Sequence, residues 1–93
     1  GHYIQGSIEE ETRHALRNIQ GVLEAAGCTL DDVVKVTAHL ADMNDFRAYN
    51  RAYREFFKDV AVLPARTTVQ SVLWGGMKVE IDAVARKRQS NNA

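Results

Sequence analysis

Apolar side chains recur every three or four positions in the first third of the chain, which is the spacing of a helix with one buried face. Ser7 and Glu10 have the spacing of a capping box, in which each side chain binds the backbone N–H of the other residue. Gly27 follows the last periodic position and suits the left-handed conformation that ends many helices. The pattern predicts a helix over Ile8–Ala26, with a stripe of Ile8, Ala15, Leu16, Ile19, Val22, Leu23 and Ala26.

A strand and a second helix are predicted next. Apolar and polar residues alternate over Asp32–Leu40, which indicates a strand with one covered face. Its apolar positions are Val34, Val36, Ala38 and Leu40, and its polar positions are Lys35, Thr37 and His39. Asn44 is the predicted N-cap of the second helix, which should end near Asp59. An aromatic stripe at helical spacing is interpreted as core: Phe46, Tyr49, Tyr53, Phe56 and Phe57.

The last third of the chain has the pattern of two strands joined by a short turn. On the first strand, Arg66, Thr68 and Gln70 share one face, and Thr67, Val69 and Ser71 share the other. On the second strand, the apolar face is Val79, Ile81, Ala83 and Ala85, opposed by Lys78, Glu80, Asp82 and Arg86. The turn Leu73-Trp74-Gly75-Gly76 favours a hairpin in which Gln70 lies opposite Glu80.

Arg66 is the residue with the clearest candidate chemistry. A guanidinium matches a carboxylate bidentately, and a nearby acid could handle a proton or a water. In the hairpin register, Glu80 is about four residues from Arg66, roughly 13 Å along the strand, and Asp82 is nearer. The pattern alone therefore favours a cross-strand Arg66–Asp82 pair on a solvated face, worth under about 1 kcal/mol.

The order of the elements is helix, strand, helix, strand, strand, which indicates a single α+β domain over residues 1–93 with two helices covering one sheet. Residues 1–6 are expected to be a remnant of a strand, or of a tag at Gly1-His2, and residues 87–93 a polar tail. Only His2 to Gln5 could form a strand before the first helix. The sheet should therefore have few strands and an unpaired edge, which favours self-association.

Composition and charge narrow the classes of function. The 93 residues contain 12 Lys plus Arg and 12 Asp plus Glu, so the net charge of zero disfavours a sequence-independent nucleic-acid binder. Cys28 is the single cysteine, which excludes an intrachain disulfide and fits a reducing compartment. No apolar stretch approaches a membrane span and no secretory signal is visible. A cytoplasmic protein without membrane partners is the expectation.

Seven segments occur in an order that resembles the Rid family of reactive-intermediate deaminases, also called the YjgF family. The resemblance covers nearly the whole chain, from Glu9 to Arg86. The segments are Ala25-Ala26-Gly27, Asp32-Val33-Val34-Lys35-Val36-Thr37, Asp42-Met43-Asn44-Asp45-Phe46, Asn50 with Tyr53, Phe56-Phe57, Pro64-Ala65-Arg66-Thr67-Thr68-Val69, and Val79-Glu80-Ile81-Asp82-Ala83-Val84-Ala85.

The resemblance implies a chorismate-mutase-like fold of the bacillus type, with two layers and two helices on a mainly antiparallel sheet. It also implies a homotrimer with sites between subunits. Typical members begin with strands that carry Pro-Tyr-Ser-Gln and Ser-Gly-Gln motifs. Neither motif is present here, so the fold is expected in an N-terminally truncated form.

The activity that the resemblance implies is hydrolysis of enamines and imines of the 2-aminoacrylate type to 2-oxo acids and ammonia, without a metal or organic cofactor. Arg66 matches the arginine that binds the substrate carboxylate, and Glu80 matches the glutamate that positions the attacking water. Asn50 matches a residue that lines the site, and Thr68 stands where some members have a cysteine. Tyr49, next to Asn50, is expected to border the cleft.

Four other residues carry less chemistry. His14 and His39 lack the spacing of a metal site and are interpreted as ordinary surface or sheet-face residues. Cys28 has no evident base and is interpreted as an incidental surface thiol. Trp74 is expected to be exposed in its turn, where it could mark an interface.

Three functions remain open at this point. The first is a hydrolase that acts on a small carboxylate-bearing imine. The second is a non-catalytic trimer that binds small carboxylates, such as 2-oxo acids, or a protein partner. The third is an endoribonuclease-like activity, which zero net charge and the absence of a general-base histidine near Arg66 disfavour.

Overall fold

A computed structural model describes residues 6–87, and the predictions for residues 1–5 and 88–93 lie outside this range. The helices are α1 (Ile8–Ala25) and α2 (Phe46–Phe56), and the strands are β1 (Val33–Leu40), β2 (Ala65–Gln70) and β3 (Val79–Ala85). The predicted α+β architecture, with both helices packed on one sheet, is confirmed. No helix among the described residues is long and apolar enough to cross a membrane.

The predicted caps of α1 are present at both ends. The Ser7 hydroxyl accepts from Glu10 N, and the Glu10 carboxylate accepts from Ser7 N, which completes the capping box. At the other end Gly27 has φ 80°, and Cys28 N donates to Leu23 O at 2.7 Å. This is the bond of a Schellman motif, which turns the residue after the glycine back against the helix. Cys28 is therefore buried at 7% exposure, and its prediction as a surface thiol was wrong.

The start of α2 differs from the prediction. The N-cap of α2 is Asp45 and not Asn44, and its side chain makes no capping hydrogen bond. The Asp42 side chain caps the 3₁₀ turn before the helix, because it accepts from Asn44 N at 2.9 Å. A 3₁₀ turn over Met43–Asp45 then leads into the helix at Phe46. Asp and Asn cap equally well, so sequence preference alone does not separate Asn44 from the adjacent Asp45.

The strand order β2-β1-β3 replaces the predicted hairpin. Strand β2 runs parallel to β1, and β3 runs antiparallel to β1 on its other side, so the sheet formed by the described residues is mixed. The segment that connects β2 to β3 crosses the end of β1. It is fixed there by Ser71 N donating to Leu40 O at 2.9 Å and by Ala41 N donating to Lys78 O at 3.0 Å.

One face of the sheet packs against the helices, and the core lies between them. Val36, Ala38 and Leu40 are almost fully buried there, as the alternation predicted. Val34 is 49% exposed and Val33 is buried in its place, because a register shift between Val33 and Lys35 reverses the alternation at the start of β1. The other face is called the open face below and presents Lys35, Thr37, His39, Thr67, Val69, Glu80, Asp82 and Val84.

A buried carboxylate joins α1 to the start of β3. Glu11 is only 5% exposed, and its two oxygens accept from Lys78 N at 3.0 Å and from Lys78 Nζ at 3.2 Å. The backbone N–H of Gly6 donates to the same side chain at 3.4 Å. A buried charge is stable only with such partners, so Glu11 fixes the beginning of the strand that carries Glu80.

Candidate functional site

Arg66 lies on β2, at one edge of the described sheet, with its side chain directed toward α2. It pairs in register with Val36, whose side chain is buried under the helices, so the two residues share a face. The guanidinium donates from Nη1 to Asn50 Oδ1 at 2.7 Å. Within residues 6–87 it forms no ion pair. Since a guanidinium has five N–H donors, most of them remain available to an incoming carboxylate.

Three aromatic rings of α2 form a platform beneath the Arg66 guanidinium. Its Cζ atom is 4.4 Å from the Tyr53 ring centroid, 5.6 Å from that of Tyr49 and 5.8 Å from that of Phe46. Cation–π attraction at these distances stabilises a half-buried guanidinium that has no acidic partner in the described part of the chain. Phe46 and Tyr53 were predicted only as core. Their helical spacing from Asn50 was the signal that they would share its surroundings.

The second hydrogen bond of this cluster joins Tyr49 to Thr68. The Tyr49 hydroxyl and Thr68 Oγ1 are 3.0 Å apart, and either atom can be the donor. Because Thr68 is two residues after Arg66 on β2, both side chains lie on the helix-covered face. Four predicted site residues are therefore brought together: Arg66, Asn50, Tyr49 and Thr68.

Tyr53 differs from its neighbours because its hydroxyl has no hydrogen-bond partner within the described residues, although the atom is buried. Burial raises the pKa of Tyr53 from the ordinary 10.0 to about 12, while the positive charge of Arg66 acts in the opposite direction. The hydroxyl is therefore neutral at physiological pH and can act as a donor but not as a base.

Glu80 is not part of this cluster in one chain. It pairs in register with His39, so it lies on the open face, whereas Arg66 lies on the helix-covered face. The two residues belong to strands on either side of β1, about 10 Å apart, and are offset by three positions, about another 10 Å. Asp82 pairs with Thr37 and is also on the open face. The predicted Arg66–Asp82 pair is therefore wrong, because the hairpin that would create it does not form.

The remaining predicted residues are dispersed. His14 lies on α1 next to Asn18, with 3.2 Å between His14 Nε2 and Asn18 Nδ2. Trp74 is 85% exposed in its turn, as predicted, and its part in an interface stays a prediction. Among residues 6–87 there is no group of three or more His, Cys, Asp or Glu side chains that could hold a metal ion.

The comparisons with known proteins agree on one family. Residues 1–87 match the family described as Endoribonuclease L-PSP. The 2-iminobutanoate/2-iminopropanoate deaminase of Homo sapiens is 43% identical over 86 residues, which are 91% of this chain and 61% of the human protein. The chain belongs to the Rid/YjgF family. A second Rid relative, a RutC family protein of Pyrococcus horikoshii, is 46% identical over 94% of this chain and 68% of its own length.

A solved Rid structure gives the same fold. Escherichia coli TdcF with bound serine is 33% identical and superposes with a TM-score of 0.86, over 92% of this chain and 69% of TdcF. The chain thus spans about two thirds of the length of these relatives. The architecture predicted from the resemblance is confirmed over the described residues.

Proposed function

We propose that this protein hydrolyses small imines or enamines that carry a carboxylate, releasing a 2-oxo acid and ammonia. The observation that carries the proposal is the Arg66 guanidinium, held by Asn50 on an aromatic platform without an acidic partner among residues 6–87. A fixed cation with free donors is suited to bind the carboxylate of such a substrate. The human relative named as a 2-iminobutanoate/2-iminopropanoate deaminase supports this substrate class.

Binding through Arg66 would orient the substrate for attack by water. The imine carbon is already electrophilic, so the reaction requires a placed water and proton transfers rather than a strong nucleophile. Thr68 and Asn50 lie within the reach of a molecule bound at Arg66 and offer it further hydrogen bonds. In this proposal the four clustered residues hold the substrate, and the protons are handled elsewhere.

Glu80 is the proposed general base, and it acts from a neighbouring copy of the chain. Arg66 and Glu80 of one chain lie on opposite faces of the sheet, so a single chain does not bring them together. A homotrimer in which the β2 edge of one subunit meets the open face of the next would bring them together. The Glu80 side chain forms no hydrogen bond or ion pair within residues 6–87, which leaves its carboxylate available for a water.

The proposal predicts that Arg66→Ala lowers kcat/KM about 10²-fold, because it removes two charge-assisted hydrogen bonds to the substrate carboxylate. Ammonia release from freshly generated 2-iminopropanoate, corrected for spontaneous hydrolysis, measures the effect. Arg47→Ala is the matched control, since Arg47 is an exposed arginine on the same helix as Asn50. Equal rates for the Arg66→Ala and wild-type proteins would exclude carboxylate binding through Arg66, and ammonia release by the wild type no faster than the spontaneous rate would exclude the deaminase function.

A non-catalytic carboxylate-binding protein is the second candidate. It is favoured by the separation of Glu80 from Arg66 in one chain, because Arg66 alone would bind a 2-oxo acid without hydrolysing an imine. Calorimetric titration with pyruvate distinguishes the two. Binding that depends on Arg66, combined with no ammonia release above the spontaneous rate, would select the second function.

A further inference from the structure

The open face carries a histidine whose ring is held in one orientation. His39 Nδ1 lies 2.8 Å from Ser71 Oγ, and both residues are partly buried. Ser71 is itself fixed, because its backbone N–H donates to Leu40 O at 2.9 Å. With Nδ1 engaged, the second ring nitrogen, Nε2, is the atom left to exchange a proton with another group.

Glu80 is the direct cross-strand neighbour of His39. The two residues are register partners on the antiparallel strands β1 and β3, so their Cβ atoms are about 5 Å apart on the same face. The other charged residues on this face are Asp82, two positions further on β3, and Lys35, four positions earlier on β1. The face also receives Thr67 and Val69 from β2 and Ser71 from the segment directly after it, and none of these three titrates near neutral pH.

The proposed reaction requires proton transfers in both directions. The water oxygen bonds to the imine carbon and gives up both of its protons, the first on attack and the second as the C=O bond of the 2-oxo acid forms. The nitrogen gains two protons before the carbon–nitrogen bond breaks and ammonia leaves. A carboxylate that has taken the proton from water must return it to the nitrogen, and a second group that titrates near neutrality makes this faster. Imidazole is the side chain suited to that task.

We propose, on the basis of the deaminase function above, that His39 is the proton-transfer partner of Glu80. Glu80 accepts each of the two protons that the water oxygen gives up, and His39 delivers each proton to the nitrogen and is then reprotonated by Glu80. Ser71 holds the His39 ring in one orientation for both transfers. No proton is created or lost in the cycle, and no other reagent is needed.

The test is the steady-state kinetics of His39→Gln and Ser71→Ala with freshly generated 2-iminopropanoate. His39→Gln is expected to lower kcat about 10²-fold with little change in KM, because substrate binding stays with Arg66. Ser71→Ala should lower kcat by a smaller factor, since the ring loses its orientation but keeps its proton. His14→Gln is the matched control, a histidine replaced on α1 away from the open face.

Chemical rescue separates a chemical role of His39 from a structural one. Imidazole added to His39→Ala should restore a large part of kcat in proportion to its concentration, which a variant that has merely lost packing would not show. A kcat of His39→Gln equal to that of wild type overturns the role of His39, while ammonia release by the wild type keeps the deaminase function. Wild-type protein without activity overturns both.

Discussion

At the scale of single residues, Arg66 has a positive charge that is not paired with an acidic side chain among residues 6–87. Partial burial of the guanidinium costs hydration free energy. Cation–π attraction to the platform of Phe46, Tyr49 and Tyr53 offsets part of this cost. An acid in contact would neutralise the charge and block the carboxylate site. The arrangement therefore keeps the cation in place while its donors stay available.

The packing around Tyr53 can be tested by measuring the free energy of unfolding. Its buried hydroxyl has no partner within residues 6–87, whereas that of Tyr49 is bonded to Thr68. Tyr53→Phe should leave the free energy of unfolding unchanged or raise it slightly, while Tyr49→Phe should lower it by about 1 kcal/mol. Urea denaturation measures both. A loss for Tyr53→Phe as large as for Tyr49→Phe would show that the Tyr53 hydroxyl is bonded after all.

The same tyrosine makes stability depend on alkaline pH. Since folding raises its pKa from 10.0 to about 12, the unfolded chain loses this proton first. Its contribution is complete below pH 10 and is lost as the pH rises toward about 12. Denaturation midpoints measured across this range should fall less steeply for Tyr53→Phe than for wild type. Parallel slopes would contradict the assignment.

At the scale of elements, alternation and caps predicted which residues share a face but not which strands are neighbours. Ser7, Glu10 and Gly27 lie as expected, because their positions depend on local spacing, whereas Gln70 pairs with Leu40 and not with Glu80 as predicted. The strand order depends on contacts between distant segments, and a Gly-Gly turn after β2 looks the same whether it closes a hairpin or crosses a strand end. The alternation therefore predicted that Arg66 and Thr68 share a face, while the place of Asn50 beside them came from the family resemblance. The position of Glu80 relative to Arg66 depended on the strand order and could not be predicted.

Glu11 links α1 to the start of β3, so its replacement should have a large effect on the free energy of unfolding. Glu11→Ala should lower the free energy of unfolding by about 2 kcal/mol, because it leaves Lys78 N without its acceptor in a partly buried site. Glu9→Ala is the control. Glu9 forms only an exposed pair with Arg51 at 3.6 Å, which is worth under about 0.5 kcal/mol. Equal losses for the two variants would show that burial of Glu11 adds nothing.

At the scale of the whole molecule, the open face is the surface that the proposal assigns to a neighbouring copy. Val69, the β2 partner of His39, is 37% exposed there, and Val84, two positions after Asp82 on β3, is 58% exposed. On the other side of β3, Val22 of α1 was predicted to be buried but is 70% exposed, beside an open groove that Ile19 and Ile81 also line. The described residues therefore leave apolar surface uncovered on two sides of one strand.

Self-association through the open face can be tested with a single substitution. Val69→Lys places a charge on the open face and should shift the protein from an oligomer to a monomer at micromolar concentration, as measured by light scattering. Deaminase activity should fall with it, because the Arg66–Glu80 pair is lost. Val62→Lys is the control, since Val62 is 78% exposed in the loop before β2. A wild-type protein that is already monomeric would contradict the shared site.

The connection that crosses the end of β1 also has a consequence for how the chain folds. Every residue of β2 pairs with a residue of β1 thirty positions earlier, and the partners in β3 are further away still. Among the strands that the structure describes, no pair can therefore begin as a local turn, and each pair must close a long loop before its first hydrogen bond forms. The helices, whose contacts are local, are expected to form early. Both β2 and β3 must then pair with β1 before the sheet can hold Arg66 and Glu80 in place.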